Sequence, residues 1–528
     1  MKQSFLFCSL FFYLSSAIAQ TDDASRYAAM ITGEGLKAHL TVIAGEEMEG
    51  RETGTEGQRK AAVYIENEFK KLGLQYPGAL KGYQQYYPIY KDSVIGCTVK
   101  AGNKKLKFGT DFYTPPVNNE AGRSTAQKIV FAGYGIDDEK YNDYKNIDAK
   151  GKVLVMFLGE PKADDGDYIL SGGYKYSKYT YPGIRYKLEV AKKKGAAAVL
   201  FINQSMEKPD SLTLKINSET GYYFPHSGDD DNPNYIVLSH KAAKQVLKNW
   251  KVADLITTAK SAGTFEHVKT PVLNLPVSID YKKAKRRIDA SNVLGVLEGT
   301  DKKDEYIFLT AHYDHLGKKN GKIYYGADDD GSGTCAVIQM AEAFTKAKAE
   351  GKGPRRTIVF MTVSGEEKGL WGSEYYSDHP VYPLDKTSVD LNTDMIGRID
   401  TERQTADSSN YLYVIGHDKL STDLVFINES ANNKHTRLTL DYKFDDPNDP
   451  ERIYFRSDHY NFARKGVPVL FFYDGMLLGD YHKPTDTVDK INWALYEKRT
   501  RLIFYTAWEM ANMDSMLKRD LPIPEGTR

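Results

Sequence analysis

The chain has 528 residues, 71 Lys and Arg against 71 Asp and Glu, and 41% hydrophobic residues. That length supplies apolar material for more than one core, and the zero net charge gives no reason to expect nucleic acid or an anionic membrane as a partner. Three cysteines, one of them at position 8, exclude a disulfide framework.

Residues 1–19, MKQSFLFCSLFFYLSSAIA, have the layout of a cleavable leader: Lys2 at the start, an apolar run from Phe5 to Leu14, and Ala17-Ile18-Ala19 as a small-x-small site. Cleavage is expected before Gln20, which makes the mature protein secreted or periplasmic. The apolar run is too short to span a bilayer, so no membrane anchor is expected after its removal. Cys8 lacks a small residue before it and is not expected to carry lipid. Cys335 reads as a small buried hydrophobe. Between 55 and 72, Ala61, Ala62, Ile65, Phe69 and Leu72 share one helical face, and Gly73 is placed to end that helix. Arg51, Gly54 and Thr55 mark the turn into it.

Residues 95–275 have a different texture. KIVFAGYGI (128–136), KVLVMFLG (152–159) and AAAVLFIN (196–203) are short apolar strands, and one helix is expected around 184–194. The acidic stretch near 228–235 reads as a turn-rich surface loop, with a calcium site as the alternative. No cluster of histidines with acids occurs here. The block is therefore expected to be a non-catalytic insertion, flanked by residues 20–94 and 276–528 of a discontinuous larger domain.

From about 286 onward, apolar strands alternate with helices near 334–349 and 492–517. The strands are ASNVLGVLEG, EYIFLTAH, TIVFMTVS, SVDLNTDM, YLYVIG and VPVLFFYD. The pattern predicts an α/β fold, a mixed and mostly parallel sheet covered on both faces. Several strands end in metal-ligating residue types. EYIFLTAH stops at His312 with Asp314 beyond it, TIVFMTVS runs into Glu366 and Glu367, Asp394 follows SVDLNT, and His482 sits in GDYHKPTDT. Asp328, Asp329 and Asp330 precede a Gly-Ser-Gly turn. In open α/β sheets the functional crevice lies beyond the carboxyl ends of the strands.

His312, Asp328, Glu367, Asp394 and His482 form a natural donor set for two divalent ions that share one carboxylate, and imidazole with carboxylate suits zinc. Two such ions would favour a bound hydroxide as the nucleophile of a hydrolysis. Glu366 points away from Glu367 if the segment is extended, which suits a general base. Asp314, two residues after His312, is placed to orient a ligand imidazole. Each residue has a plainer alternative: Glu366 and Glu367 could cap a helix, and Asp329 and Asp330 read as turn-formers.

Six stretches carry a family resemblance: AHYDHLG (311–317), GADDDGSG (326–333), SGEEKGLWGS (364–373), NTDMIGR (392–398), RSDHYNFARKGVPVLFF (456–472) and YHKPTDT (481–487). With MEGRETGTEGQRKAAVYI (48–65) upstream, they resemble the secreted dizinc exopeptidase family of bacterial leucyl aminopeptidase, aminopeptidase Y and glutamate carboxypeptidase II. The resemblance implies two Zn²⁺ per chain. His312 and Asp394 would hold one ion, Glu367 and His482 the other, and Asp328 would bridge them. It also implies Glu366 as general base, Asp314 as a carboxylate behind the ligands, and Ser457, Asp458 and His459 as lining or scaffold. Residues 95–275 resemble a β-rich protease-associated domain. The expected function is an exported aminopeptidase acting on peptides. A carboxypeptidase or dipeptidase of the same family is the alternative, with Arg456 and Arg398 as candidate carboxylate receptors. Glutaminyl cyclase and a non-catalytic binding protein are more distant readings.

Overall fold

A computed structural model describes residues 22–225, 232–260, 264–265 and 272–523. The leader with Cys8 and the acidic residues of the 228–235 stretch lie outside these. The chain forms two compact units, one running to Tyr87 and resuming at Ala290, the other Pro88–Asp289.

The larger unit is built on seven strands: β1 (Val277–Leu297, its last residues in this unit), β2 (Lys302–His312), β3 (Arg356–Val363), β4 (Thr387–Thr393), β5 (Tyr411–Ile415), β6 (Thr439–Asp441) and β7 (Val469–Tyr473). Their order is β6-β5-β7-β4-β2-β3-β1. The central pairs β7–β4, β4–β2 and β2–β3 are parallel, while β1 and β5 join antiparallel to β3 and β7. Side chains alternate across the sheet. Ile307, Leu309 and Ala311 of β2 with Ile358 and Phe360 of β3 enter one core. Phe308 of β2 with Val359, Met361 and Val363 of β3 enter another on the opposite face. Burial on both faces is why these strands read as unbroken apolar runs.

Helices α1 (Gly33–Ile43), α2 (Glu56–Lys71), α3 (Gly333–Ala349), α4 (Trp371–Asp378), α5 (Asp423–Ala431) and α6 (Trp493–Asn512) cover the sheet. Ala61, Ala62, Ile65 and Phe69 of α2 are buried and Leu72 partly so. Gly73 takes φ +75 just past the helix, where the left-handed region costs glycine little. Asn492 caps α6, its side-chain oxygen accepting from Leu495 N. α6 stops at Asn512, short of the expected 517. α1 was not anticipated; its capping signal is Thr32, whose hydroxyl oxygen accepts from Gly35 N.

The smaller unit has a six-stranded sheet whose central pairs, Ile129–Phe131 with Val153–Phe157, then Ala198–Asn203, then Tyr235–Ser239, are parallel. Helices Ile184–Lys193, His240–Val246 and Val252–Lys260 accompany it, so helix contributes more than a β-rich reading implies. Among the described residues, no helix is long and apolar enough to cross a membrane. Cys97 and Cys335 are both free, and Cys335 is fully buried.

Candidate metal centre

The parallel strands β2, β3, β4 and β7 release the chain at one edge of the sheet, and the acids and histidines gather there. His312 ends β2. Its Nδ1 lies 3.1 Å from the Asp314 backbone carbonyl, which can only accept, so Nδ1 carries the hydrogen and Nε2 keeps a lone pair. That Nε2 is 3.3 Å from Asp329 Oδ1, 3.5 Å from Asp394 Oδ1 and 3.8 Å from Glu366 Oε2. On the other side, Glu367 Oε2 and Asp329 Oδ2 lie 3.0 and 3.2 Å from His482 Nε2. Asp329 thus turns one carboxylate oxygen to each histidine.

This corrects the expectation for Asp328, which faces away from the cluster. Its Oδ1 accepts from Gly397 N at 2.8 Å, and burial with the charges of Asp474 and Asp486 holds its carboxyl well above the usual range. The cause of the shift by one residue is local. Asp329 and Asp330 have non-helical torsions (φ −99, ψ 99 and φ −116, ψ 52) just before α3, so three consecutive acids point in three directions. Asp330 is structural as well: it accepts from His312 N, Gly333 N and Met395 N at 3.1, 2.7 and 3.1 Å, tying the end of β2 to the residue after Asp394. Asp486 accepts from the backbone N–H groups of both Asp328 and Asp329. A Cβ on Gly333 would lie 2.2 Å from the Thr393 carbonyl, so only glycine lets α3 start this close to the end of β4.

Asp314 also differs from expectation. Its carboxylate is 3.7 Å from His312 Nδ1, farther than its own backbone carbonyl. Instead Oδ1 accepts from Glu366 N at 3.2 Å and Oδ2 from Thr53 Oγ1 at 2.6 Å. It positions the Glu366 backbone more directly than the imidazole. Glu366 and Glu367 begin a 3₁₀ turn, Glu366–Lys368, and not an extended segment; the turn still sends their side chains apart. Burial comes first among the causes that raise the Glu366 carboxyl well above its usual range, with Glu367 and Asp394 adding to it against His312. Asp394 Oδ2 accepts from Ser457 Oγ at 2.6 Å, and that hydroxyl in turn accepts from Asn392 Nδ2. Asp458 accepts from Ser373, and His459 stacks on Phe471 at 4.7 Å, so both serve as scaffold.

The field at the cluster suits cations. Burial opposes charge on His312, yet Asp394 and Glu366 hold its pKa well above the ordinary value. Burial likewise opposes charge on His482, and Asp329 with Glu367 lifts it to about 10. Among the described residues, three groups of histidines and carboxylates have donor atoms mutually within 4.8 Å. Two of them, His312–Asp329–Asp394 and His315–Asp329–Glu367, share Asp329. The third, His417–Asp418–Asp445, already has Lys419 Nζ 2.9 Å from Asp445 Oδ1. His312 Nε2, His315 Nε2 and Asp329 Oδ2 are buried with no hydrogen-bond partner, while His315 Nδ1 lies 2.6 Å from Glu367 Oε1. Buried polar atoms are normally satisfied, and ions shared by these donors would satisfy them, so the residues fit a metal centre.

Several contributors were not read from the sequence. Arg51, fully buried, donates to the carbonyls of Tyr313, Ile43, Tyr325 and Gly326 at 2.7–2.8 Å, stapling the loops that carry His312 and Asp329. Thr53, Asp486 and His315 also went unassigned. The available signal was their place inside or beside the quoted motifs, since His315 is the second histidine of AHYDHLG. Of the two candidate carboxylate receptors, Arg398 is held by Asp480 at 2.9 Å. Arg456 lies beside Tyr481 and lines a cavity with Met395, Ile453, Phe471 and Leu477 next to Asp394 and Glu366.

Residues 292–507 match the model of Peptidase family M28. A probable leucine aminopeptidase of Arthroderma otae is 29% identical over 216 residues, 40% of this chain and 55% of the relative. The chain therefore spans about half the length of that relative. A probable leucine aminopeptidase 2 of Trichophyton verrucosum is 23% identical over 487 residues, 87% of this chain and 79% of the relative. An aminopeptidase from Aneurinibacillus sp. strain AM-1 has a similar fold, with a TM-score of 0.50 at 18% identity, covering 96% of this chain and all of that one. The segment that is similar to Peptidase family M28, residues 292–507, contains every histidine and carboxylate donor of the cluster.

Proposed function

We propose that the protein is a zinc aminopeptidase that hydrolyses amino-terminal residues from peptides, with two zinc ions held around Asp329. The observation that carries this reading is the division of Asp329 between two donor groups. Oδ1 sits with His312 and Asp394, and Oδ2 with Glu367 and His482. The family match and the leucine aminopeptidase relatives support it.

Zinc bound by these residues would supply Lewis acidity toward the scissile carbonyl and toward water. Glu366, desolvated and raised in pKa, accepts a proton from the attacking water and returns it to the leaving amine nitrogen as the C–N bond breaks. Asp314 holds the Glu366 backbone during both transfers. The carboxylates of Asp394 and Glu366 suit a free α-ammonium group, and the adjoining Met395, Ile453, Phe471 and Leu477 surface suits an apolar side chain on the amino-terminal residue. The leader reading of residues 1–19 supports export to the periplasm or beyond, and the 95–275 block is read as a protease-associated module.

The test is a matched set of peptides with free, amino-acetylated and carboxyl-amidated ends. Cleavage of the free and amidated forms and sparing of the acetylated form is expected. Cleavage of the acetylated form with sparing of the amidated one would favour a carboxypeptidase anchored by Arg456. Glu366→Gln is expected to keep zinc and lose about 10²–10⁴ in kcat; unchanged turnover would overturn its role.

A further inference from the structure

We propose that Asp390, buried within β4, is a neutral carboxylic acid that heads a one-way chain of hydrogen bonds through Thr310, Asn392 and Ser457 and thereby positions Asp394 for the ion at His312. The inference deepens the two-zinc reading and rests on it.

The groups lie in line. Asp390 and Asn392 are two residues apart on an extended strand and so face the same side. Thr310 of β2 stands opposite Asn392 in the parallel register of the two strands. Thr310 Oγ1 is 2.7 Å from Asp390 Oδ1 and 2.9 Å from Asn392 Oδ1. Asn392 Nδ2 donates to Ser457 Oγ at 2.8 Å, and Ser457 Oγ donates to Asp394 Oδ2 at 2.6 Å. Asp390, Thr310 and Asn392 have no exposed surface, and Ser457 is buried as well.

Counting hydrogens fixes the direction. A carboxylate that binds zinc is ionised, so Asp394 can only accept, and the Ser457 hydrogen must point at it. The Ser457 oxygen then takes a hydrogen from the Asn392 amide nitrogen. That turns the Asn392 side-chain oxygen toward Thr310, whose single hydrogen goes to it. Thr310 has none left for Asp390, and two bare oxygens 2.7 Å apart would repel. The hydrogen between them therefore belongs to Asp390.

The surroundings agree. Asp390 Oδ2 is buried with no hydrogen-bond partner among the described residues, a costly place for an ionised oxygen. Burial comes first among the causes that push this carboxyl up to about 8, and Asp458 adds to it; a hydrogen bond donated by Thr310 would act the other way. The consequence reaches the metal site. With its hydrogen fixed, Ser457 occupies Asp394 Oδ2 and leaves Oδ1, the oxygen 3.5 Å from His312 Nε2, to the ion. Asp390 acts through three other side chains and is a positioning residue.

The experiment compares infrared spectra and zinc affinity by chelator competition in the full-length wild type, Asp390→Asn, Thr310→Val and Thr310→Ser. At neutral pH the wild type should show the carbonyl stretch of a protonated carboxylic acid that Asp390→Asn lacks. Asp390→Asn should bind both zinc ions as the wild type does, because its amide also donates to Thr310. Thr310→Val should bind one ion about tenfold more weakly, and Thr310→Ser, which restores the hydroxyl, should recover it. An infrared difference without that stretch would overturn the proton on Asp390. Wild-type zinc affinity in a folded Thr310→Val would overturn the hold of the chain on Asp394. A wild type that binds no zinc would overturn the two-zinc reading, and this inference with it. Should Asp390→Asn not fold, neutron diffraction on the wild type decides: deuterium bonded to Asp390 Oδ1 is expected, and a bare carboxylate overturns the proposal.

Discussion

The Thr53 hydroxyl donates to Asp314 Oδ2 at 2.6 Å and accepts from Gly365 N at 2.9 Å. One side chain from the amino-terminal segment therefore fixes both the acid behind His312 and the residue before Glu366. Thr53→Val keeps the shape and removes both bonds. Leaving buried groups unpaired costs roughly 1–3 kcal/mol, and a small misplacement of a catalytic group can cost up to about 10² in rate. The expected outcome is a lower melting temperature and a kcat reduced about 10–100-fold with zinc content unchanged. A variant with wild-type kcat would show that the bridge does not position Glu366.

The paired variants Asp328→Asn and Asp329→Asn separate the two adjacent acids. Asp328 is held toward the neutral form, and its Oδ1 accepts from Gly397 N, so an amide of the same shape keeps that bond. Zinc content is expected to stay at the wild-type level. Asp329 is different. Burial opposes its charge, but His315, His312 and His482 hold its pKa well below the usual range. Asp329→Asn should lose zinc in metal analysis after dialysis. The reverse pattern would restore Asp328 as the shared ligand.

Much of this was legible because the sheet is buried on both faces, so apolar runs located β2, β3, β4 and β7, and their ends located the acids. What the sequence does not encode locally is direction. Asp328, Asp329 and Asp330 are chemically identical, and only the torsions at 329 and 330 decide which one meets His312 and His482. His315 and His312 share one heptapeptide, yet His315 reaches the cluster because Gly326, eleven positions on, leaves room for its ring. Arg51 reads as a turn residue because its carbonyl partners at Tyr313, Tyr325 and Gly326 are more than two hundred positions away. Long-range backbone stapling has no periodicity to detect.

In the smaller unit, Lys187 is buried with Nζ donating to the Phe157 carbonyl at 3.1 Å and to the Gly159 carbonyl. Burial lowers its pKa to about 7, with Asp143 and Glu160 acting the other way. Between about pH 7 and its unfolded value near 10.5, the unfolded chain binds more protons here than the folded one. Stability therefore rises with pH across that window and is lowest below it. Lys187→Met should flatten the rise of the unfolding midpoint between about pH 7 and 9. A midpoint with the same slope in both proteins would remove Lys187 as its source.

Gly326→Ala and Gly321→Ala test the seat of His315 against backbone strain alone. Both glycines have positive φ, +54 and +75, so each alanine costs about 1–2 kcal/mol of backbone strain. At Gly321 a Cβ meets nothing within 4 Å. At Gly326 it would lie 2.2 Å from the Asp329 carbonyl and 2.5 Å from His315 Cγ, so the ring and the shared carboxylate must both move. Gly321→Ala should melt slightly earlier with full zinc content. Gly326→Ala should melt earlier still and release zinc to a chelator that leaves the wild type loaded. Equal zinc retention in the two variants would mean that Gly326 serves only the turn.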